Sequence, residues 1–284
     1  MTLIDLVNQS AARLEEAGVA FGHGTTNAFD EAAWLVLWAL GLPLHDLDGV
    51  ADMALAPRQR TSVEELVGER IRSRKPAAYL TREAWLQGVP FYVDERVIVP
   101  RSFIAELLAG GGLDPWFDGT GRILDLCTGN GSLAVLAAMA YSGAAVVGAD
   151  ISADALAVAR INVDRHGLQE RIELVESDGL QALAGGFDLI LCNPPYVNAA
   201  SMQQLPAEFR ADDGQFVCLE APLQAVPRPA EGAAGGKTVL RQPCFHGAVP
   251  DPFGRGVDFS FCRERVAAKL AVAQRKLDCR LPLR

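Results

Sequence analysis

Apolar positions in the first part of the chain recur with the helical period. Leu3, Val7, Ala11 and Leu14 fall on one stripe, with Gly18 placed to cap its carboxyl end. Phe29 to Leu40 repeats the pattern and is stopped by Gly41 and Pro43. Thr61-Ser62-Val63-Glu64 has the spacing of a capping box and predicts the start of a third helix, on which Arg70, Arg72, Arg74 and Lys75 follow. Past Pro76 the period shortens. Ala84 to Val93 and Arg96 to Pro100 alternate around turn-forming residues and predict a hairpin joining two domains. From residue 121, strands and helices take turns. Strands are predicted over Arg122–Cys127, Ala144–Asp150, Arg171–Glu176 and Phe187–Cys192, and helices over Ser132–Tyr141 and from Ser152 to His166, ending at Gly167. Such alternation means βαβ units, a parallel sheet, and ligands bound beyond the carboxyl ends of the strands.

Composition narrows the class. The 284 residues are 50% hydrophobic and 21% charged, enough apolar surface for a large domain and a smaller one. A formal net charge of −9 argues against a general nucleic-acid binder, since phosphate contacts need dense Lys and Arg. The run Arg70, Arg72, Arg74, Lys75 reads first as a solvated helix face, with RNA contact as the sharper alternative. No basic segment followed by an apolar one opens the chain, and no apolar run reaches membrane-spanning length, so a cytoplasmic protein is expected. The six cysteines show no CxxC pair and read as free thiols.

Chemistry concentrates at strand ends. Asp125-Leu126-Cys127-Thr128-Gly129-Asn130-Gly131 closes one strand and precedes a helix, and its glycines let a ligand approach the backbone. Gly129-x-Gly131-x-x-Ala134 with Asp150 also satisfies a dinucleotide fingerprint, and the plain alternative is a tight turn. Two details favour S-adenosylmethionine. Asp125 lies ahead of the glycines, where a carboxylate would repel a pyrophosphate but reach an ammonium. Asp178, after the third strand, can accept from an adenine amino group or serve as a helix N-cap. Asp150 ends the second strand and can accept both ribose hydroxyls.

Asn193-Pro194-Pro195-Tyr196 follows the apolar strand that ends at Cys192. Two prolines fix φ, remove two amide donors and push Asn193 out of the helical region. The rigid turn offers the Asn193 side-chain oxygen and the Pro194 carbonyl to a planar –NH2 group, whose lone pair is delocalised and must be aimed. Tyr196 adds an aromatic face to the target and to a cationic sulfonium. The plain alternative is a proline-rich loop.

With this motif the chain resembles class I methyltransferases that act on exocyclic or amide –NH2 groups, namely DNA adenine methyltransferases and protein glutamine N5-methyltransferases. Ile71 to Thr81, Glu83-Ala84-Trp85 and Pro90 to Arg96 look like the glutamine enzymes. The release-factor branch typically carries Pro-Arg-Pro-x-Thr-Glu where this chain has Val99-Pro100-Arg101-Ser102 and then Ile104-Ala105-Glu106-Leu107. The Pro-Arg-Ser form is similar to the branch acting on large-subunit ribosomal protein L three. The likeness runs from residue 1 to about 210. It implies a Rossmann-like α/β methyltransferase core with a small N-terminal helical domain, and S-adenosylmethionine as cofactor. The domains would be a substrate-recognition domain at 1–80, a hairpin linker at 81–105 and a core at 106–210. Cys127, Thr128, Gly129, Asn130 and Gly131 would form the cofactor loop, joined by Asp125, Asp150, Asp178 and Asn193. Asn193, Pro194, Pro195 and Tyr196 would bind the substrate, with Asn193, Pro194 and Tyr196 catalytic. The partner would be a large-subunit ribosomal protein. DNA adenine methylation is the alternative, disfavoured by the charge; a remnant that binds cofactor or ribosome without catalysis is another.

Residues 211–284 depart from the family. Seven of the 16 prolines and four of the six cysteines fall there, in an order without period. The change at Ala211 is what a shift of reading frame would produce, with a natural alternative terminus as the competitor. The expectation is a largely irregular stretch to about 260, an unpaired sheet edge and impaired activity, with a helix at Cys262–Leu277 as the one regular element. Gly232 to Thr238 is one residue short of a P-loop, and Cys218, Cys244, His246, Cys262 and Cys279 lack zinc spacing, so no metal is expected.

Overall fold

Thr2 and Asp5 open the chain with a reciprocal cap. Asp5 N–H donates to Thr2 Oγ1 at 3.3 Å and Thr2 N–H to Asp5 Oδ2 at 2.8 Å. In the computed structural model the first elements are helices α1 (Leu3–Glu16), α2 (Ala28–Ala39), α3 (Leu47–Val50), α4 (Pro57–Ser73) and α5 (Ala77–Thr81). The predicted stripe Leu3, Val7, Ala11, Leu14 is buried, and it packs with Ala32, Leu35, Val36, Val63 and Val67 into a helical core. The structure describes residues 1–194, 205–209 and 238–241, the last four through their backbone. Met1–Gln242 form one unit; Pro243–Arg284 form a second, outside the described residues together with the helix expected at Cys262–Leu277.

Helix α4 starts four residues before the expected capping box. Pro57, whose ring fixes φ for a first helical turn, takes that role, and Gln59 accepts from the Ala56 N–H at 2.9 Å. Thr61 is thus inside the helix, its hydroxyl donating to the Pro57 carbonyl at 3.2 Å. The hairpin also differs from expectation. Strands β1 (Ala84–Leu86) and β2 (Val89–Phe91) pair antiparallel around Gln87 (φ 51) and Gly88 (φ 74), both left-handed as a two-residue turn requires. Residues 96–100 form no strand: Asp94 accepts from Arg96 N–H at 3.1 Å and Arg96 Nη2 at 2.6 Å, which closes a local turn there.

Helix α6 (Phe103–Ala109) leads into the sheet, built of β3 (Thr120–Leu126), β4 (Gly143–Asp150), β5 (Ile172–Glu176), β6 (Leu189–Cys192) and β7 (Thr238–Arg241). All are parallel, in the order β5-β4-β3-β6-β7. Helices α7 (Ser132–Ala140) and α8 (Ala153–Arg165) cross between strands, and Ser152 caps α8 as expected, its Oγ accepting from Ala155 N–H at 3.2 Å. Alternate residues of each strand feed two cores. Ile123, Val146, Leu189 and Leu191 meet α6 and α7; Leu124, Leu126, Val147, Ile190 and Cys192 face the other way onto Phe187.

The expectation of an unpaired edge is narrowed by β7: β6 is not the edge, and among the described residues β7 is. It pairs with β6 from Leu189↔Thr238 to Cys192↔Arg241. Thr238-Val239-Leu240 is a short β-branched and apolar run, enough to satisfy the backbone groups that β6 would otherwise leave open.

Candidate active site

The sheet reverses direction of growth between β3 and β6, and their carboxyl ends lie side by side at Leu126↔Cys192. Crevices at such switch points are where open α/β sheets bind ligands. After Leu126 the chain bends through Cys127 (φ 61) into the loop that ends at Gly131 (φ 78). A Cβ on Gly131 would stand 3.1 Å from Ala159 Cβ, so glycine lets the loop lie against α8; at Gly129 a Cβ would meet nothing within 4 Å.

Asp125 is fully buried. Its Oδ2 accepts from Thr128 Oγ1 at 2.6 Å and from the Ala134 N–H of α7 at 3.0 Å, while Oδ1 has no partner. Burial pushes this carboxyl up to about 7, against the two hydrogen bonds and with help from Asp150. Asp150 accepts from Gly129 N–H at 2.9 Å through Oδ2 and from Ser152 N–H at 3.0 Å through Oδ1. It thereby ties the loop to the β4–α8 turn and keeps lone pairs for other donors. Thr128 N–H donates to Ala149 O at 3.0 Å, and Asn130 Oδ1 accepts from Ser132 N–H at 3.2 Å.

Sequence reasoning missed Asn162. It is 0% exposed on α8, accepts from Tyr92 N–H at 2.7 Å and donates to Tyr92 O at 2.9 Å and Asn130 O at 2.8 Å. One amide joins the segment that leaves the hairpin to the glycine loop. The available signal was an asparagine inside the buried stripe Ala155, Val158, Ala159, Val163.

At the end of β6, Asn193 Nδ2 donates to Arg101 O at 3.1 Å, and Asn193 Oδ1 is buried without a partner. Among the described residues, Asp125 Oδ1 and Asn193 Oδ1 are the two buried side-chain oxygens in that condition. Pro194 is buried. Pro195 and Tyr196 lie outside the described residues. Cys127 packs beside the buried Cys192; that contact, then burial and the Asp150 and Asp125 carboxylates, push its thiol above the usual range. Asp178 is exposed after β5 and accepts from Gln181 Nε2 at 3.2 Å; it caps no α-helix.

The basic run is solvated only in part: Arg72 and Lys75 are exposed, Arg74 is half-buried and Arg70 is buried. Arg70 is 1% exposed and its Nε donates to Glu31 Oε1 at 2.7 Å. Arg72 pairs with Glu69, Arg74 with Glu208 and Lys75 with Glu95. Each of the four cations thus lies beside a carboxylate. Among the described residues no helix is long and apolar enough to cross a membrane.

A parallel sheet with this switch-point loop is Rossmann-like, and the Methyltransferase small domain family, which matches residues 113–212, makes it a Rossmann-like methyltransferase. The chain is 52% identical over 220 residues to the ribosomal protein uL3 glutamine methyltransferase of Burkholderia pseudomallei (strain K96243), covering 74% of this chain and 71% of that protein. It is 52% identical over 213 residues to that of Bordetella pertussis, covering 74% and 71%. It is 48% identical over 242 residues to that of Neisseria meningitidis serogroup B, covering 84% and 77%. The chain belongs to the ribosomal protein uL3 glutamine methyltransferase family.

Proposed function

We propose that the chain transfers a methyl group from S-adenosylmethionine to the side-chain amide nitrogen of a glutamine in ribosomal protein uL3, in the cytoplasm. The names of its relatives support the substrate. The observation that carries the chemistry is the pair of unpartnered buried oxygens, Asp125 Oδ1 and Asn193 Oδ1, at the ends of adjacent strands.

S-adenosylmethionine supplies an electrophilic methyl on a sulfonium and brings an ammonium and two ribose hydroxyls. Asp125 Oδ1 fits the ammonium, which would return the carboxyl to its ionised form. The spare lone pairs of Asp150 fit the ribose, and Gly129 leaves room at the loop backbone. Asp178 suits the adenine amino group. Asn193 would receive an N–H of the substrate amide on Oδ1, with its own Nδ2 fixed by Arg101, so that the nitrogen is aimed and its growing positive charge stabilised. No strong base is needed, because the methylated nitrogen becomes acidic and sheds a proton. Pro194, Pro195 and Tyr196 complete the acceptor turn in this reading.

Asn193→Ala tests it. S-adenosylmethionine affinity should hold by calorimetry while methylation of uL3, followed by mass spectrometry, falls by about 10²–10³. Turnover near wild type would remove Asn193 from the acceptor role.

A further inference from the structure

A second buried polar network lies apart from the glycine loop and takes no part in that chemistry. Glu208 belongs to the short turn Ala207–Phe209, beyond β6 in sequence, yet it is 6% exposed against the N-terminal helices. Its Oε1 accepts from Ala20 N–H at 3.1 Å and from Arg74 Nη1 at 3.0 Å, and stands 3.8 Å from Arg70 Nη1. Arg74 sits in the left-handed region (φ 59) and also donates to Ala17 O and Gly18 O, both at 2.8 Å, where α1 ends. Arg70 Nη2 donates to Ala20 O at 3.0 Å. Cations from the end of α4 thus collect carbonyls from just past the end of α1, and one carboxylate from the turn beyond β6 in sequence completes the set.

Shape agrees with charge. The Phe209 ring lies 4.3 Å from that of His23, and a Cβ on Gly22 would come within 2.9 Å of Phe209. Any side chain at position 22 would therefore have to displace the ring. The His23 imidazole is held neutral, pushed down to about 4 by burial and then by Arg101 and Arg70. Arg101 is the residue whose carbonyl fixes Asn193. A generic apolar contact would tolerate sliding; a buried carboxylate shared by two arginines and a backbone N–H does not, because a charge left without its partners is costly.

We propose that Glu208 is a positioning residue: it registers the N-terminal helical unit against the chain that leaves the Asn193 strand, and so governs how the glutamine-bearing protein is engaged. The inference rests on the methyl-transfer reading above.

The test is steady-state kinetics of the full chain with S-adenosylmethionine and unmodified ribosomal protein uL3. Glu208→Ala should raise KM for uL3 about tenfold or more, the loss of roughly 1.4 kcal/mol of engagement, with kcat within about twofold and cofactor affinity unchanged. Glu208→Gln keeps the acceptor for Ala20 N–H and should recover part of that loss. Arg74→Gly removes the guanidinium and suits φ 59, so it gives the same KM shift without backbone strain and serves if Glu208→Ala does not fold. Loss in kcat or cofactor affinity with KM unmoved, or no loss, overturns the proposal while wild-type methylation keeps the enzyme reading intact. A wild-type chain that neither binds nor methylates uL3 overturns both.

Discussion

Asp125→Asn should make the protein less pH-sensitive and a poorer binder of S-adenosylmethionine. The folded carboxyl titrates near 7 against an ordinary 3.8 because it is fully buried. Between about pH 4 and 7 the folded state therefore holds a proton that the unfolded state releases. Stability from this group is complete below the unfolded value and is lost as pH rises through 7. Three pKa units at 1.36 kcal/mol each give an upper bound of about 4 kcal/mol. Asparagine can still accept from Thr128 and Ala134, but it places an amide donor where Oδ1 lacks a partner, at a constant cost of roughly 1–3 kcal/mol. The constant cost shifts the variant's curve; only the lost titration changes its shape. Urea denaturation from pH 5 to 8, which covers about two of those units, should show the variant gaining on wild type by up to roughly 2.7 kcal/mol as pH rises. Cofactor binding should move the other way. An ammonium held by Asp125 prefers the ionised carboxyl, so wild-type affinity rises through pH 7 while the variant stays weaker, about tenfold or more at pH 8. Parallel stability curves would refute the buried titration, and equal affinities would refute the ammonium contact.

Asp150→Ala should weaken S-adenosylmethionine binding about tenfold or more by calorimetry, since it frees the Gly129 and Ser152 N–H groups as well as removing the proposed ribose acceptor. Unchanged affinity would take Asp150 out of the site. Asn162→Leu keeps the branched shape but strands the Tyr92 N–H, the Tyr92 carbonyl and the Asn130 carbonyl, so urea unfolding should show a loss of about 3 kcal/mol or more. A midpoint equal to wild type would mean water replaces the amide without cost.

Most of the sheet was legible because apolar runs between glycines leave little choice of register. The strands from Thr120 to Asp150 and the helices that follow them fall within one or two residues of their predicted bounds. The errors came where a local polar contact decided. Asp94 and Arg96 turned an alternating stretch into a bend, and Pro57 opened a helix ahead of the more conspicuous Thr61–Glu64 pattern. The basic run was only partly legible, for a different reason. Sequence shows that Arg70, Arg72, Arg74 and Lys75 are close together; it cannot show that Glu31 and Glu208, distant in the chain, meet two of them in the interior. Asn162 was invisible for the same reason: its partners, Tyr92 just past the hairpin and Asn130 in the glycine loop, both lie far upstream in sequence.

The polar groups of the glycine loop do structural work before any ligand is considered. Asp125 Oδ2, both Asp150 oxygens, Asn130 Oδ1 and the Asn162 amide all hold backbone or hydroxyl groups of the protein. A loop so braced needs no reorganisation to receive a guest, which is the condition under which fixed dipoles act most strongly on a reacting group. What it leaves unpaired then becomes informative, and among the described residues two buried side-chain oxygens remain, on strands adjacent in the sheet. The strand that carries Asn193 is hydrogen-bonded on both sides, by β3 and by β7. An edge strand could shift and take the acceptor oxygen with it; an internal one holds it to the register of its neighbours. Among the described residues beyond Ala211, Thr238–Arg241 supply the second of those two pairings and so hold the proposed acceptor Asn193 to register.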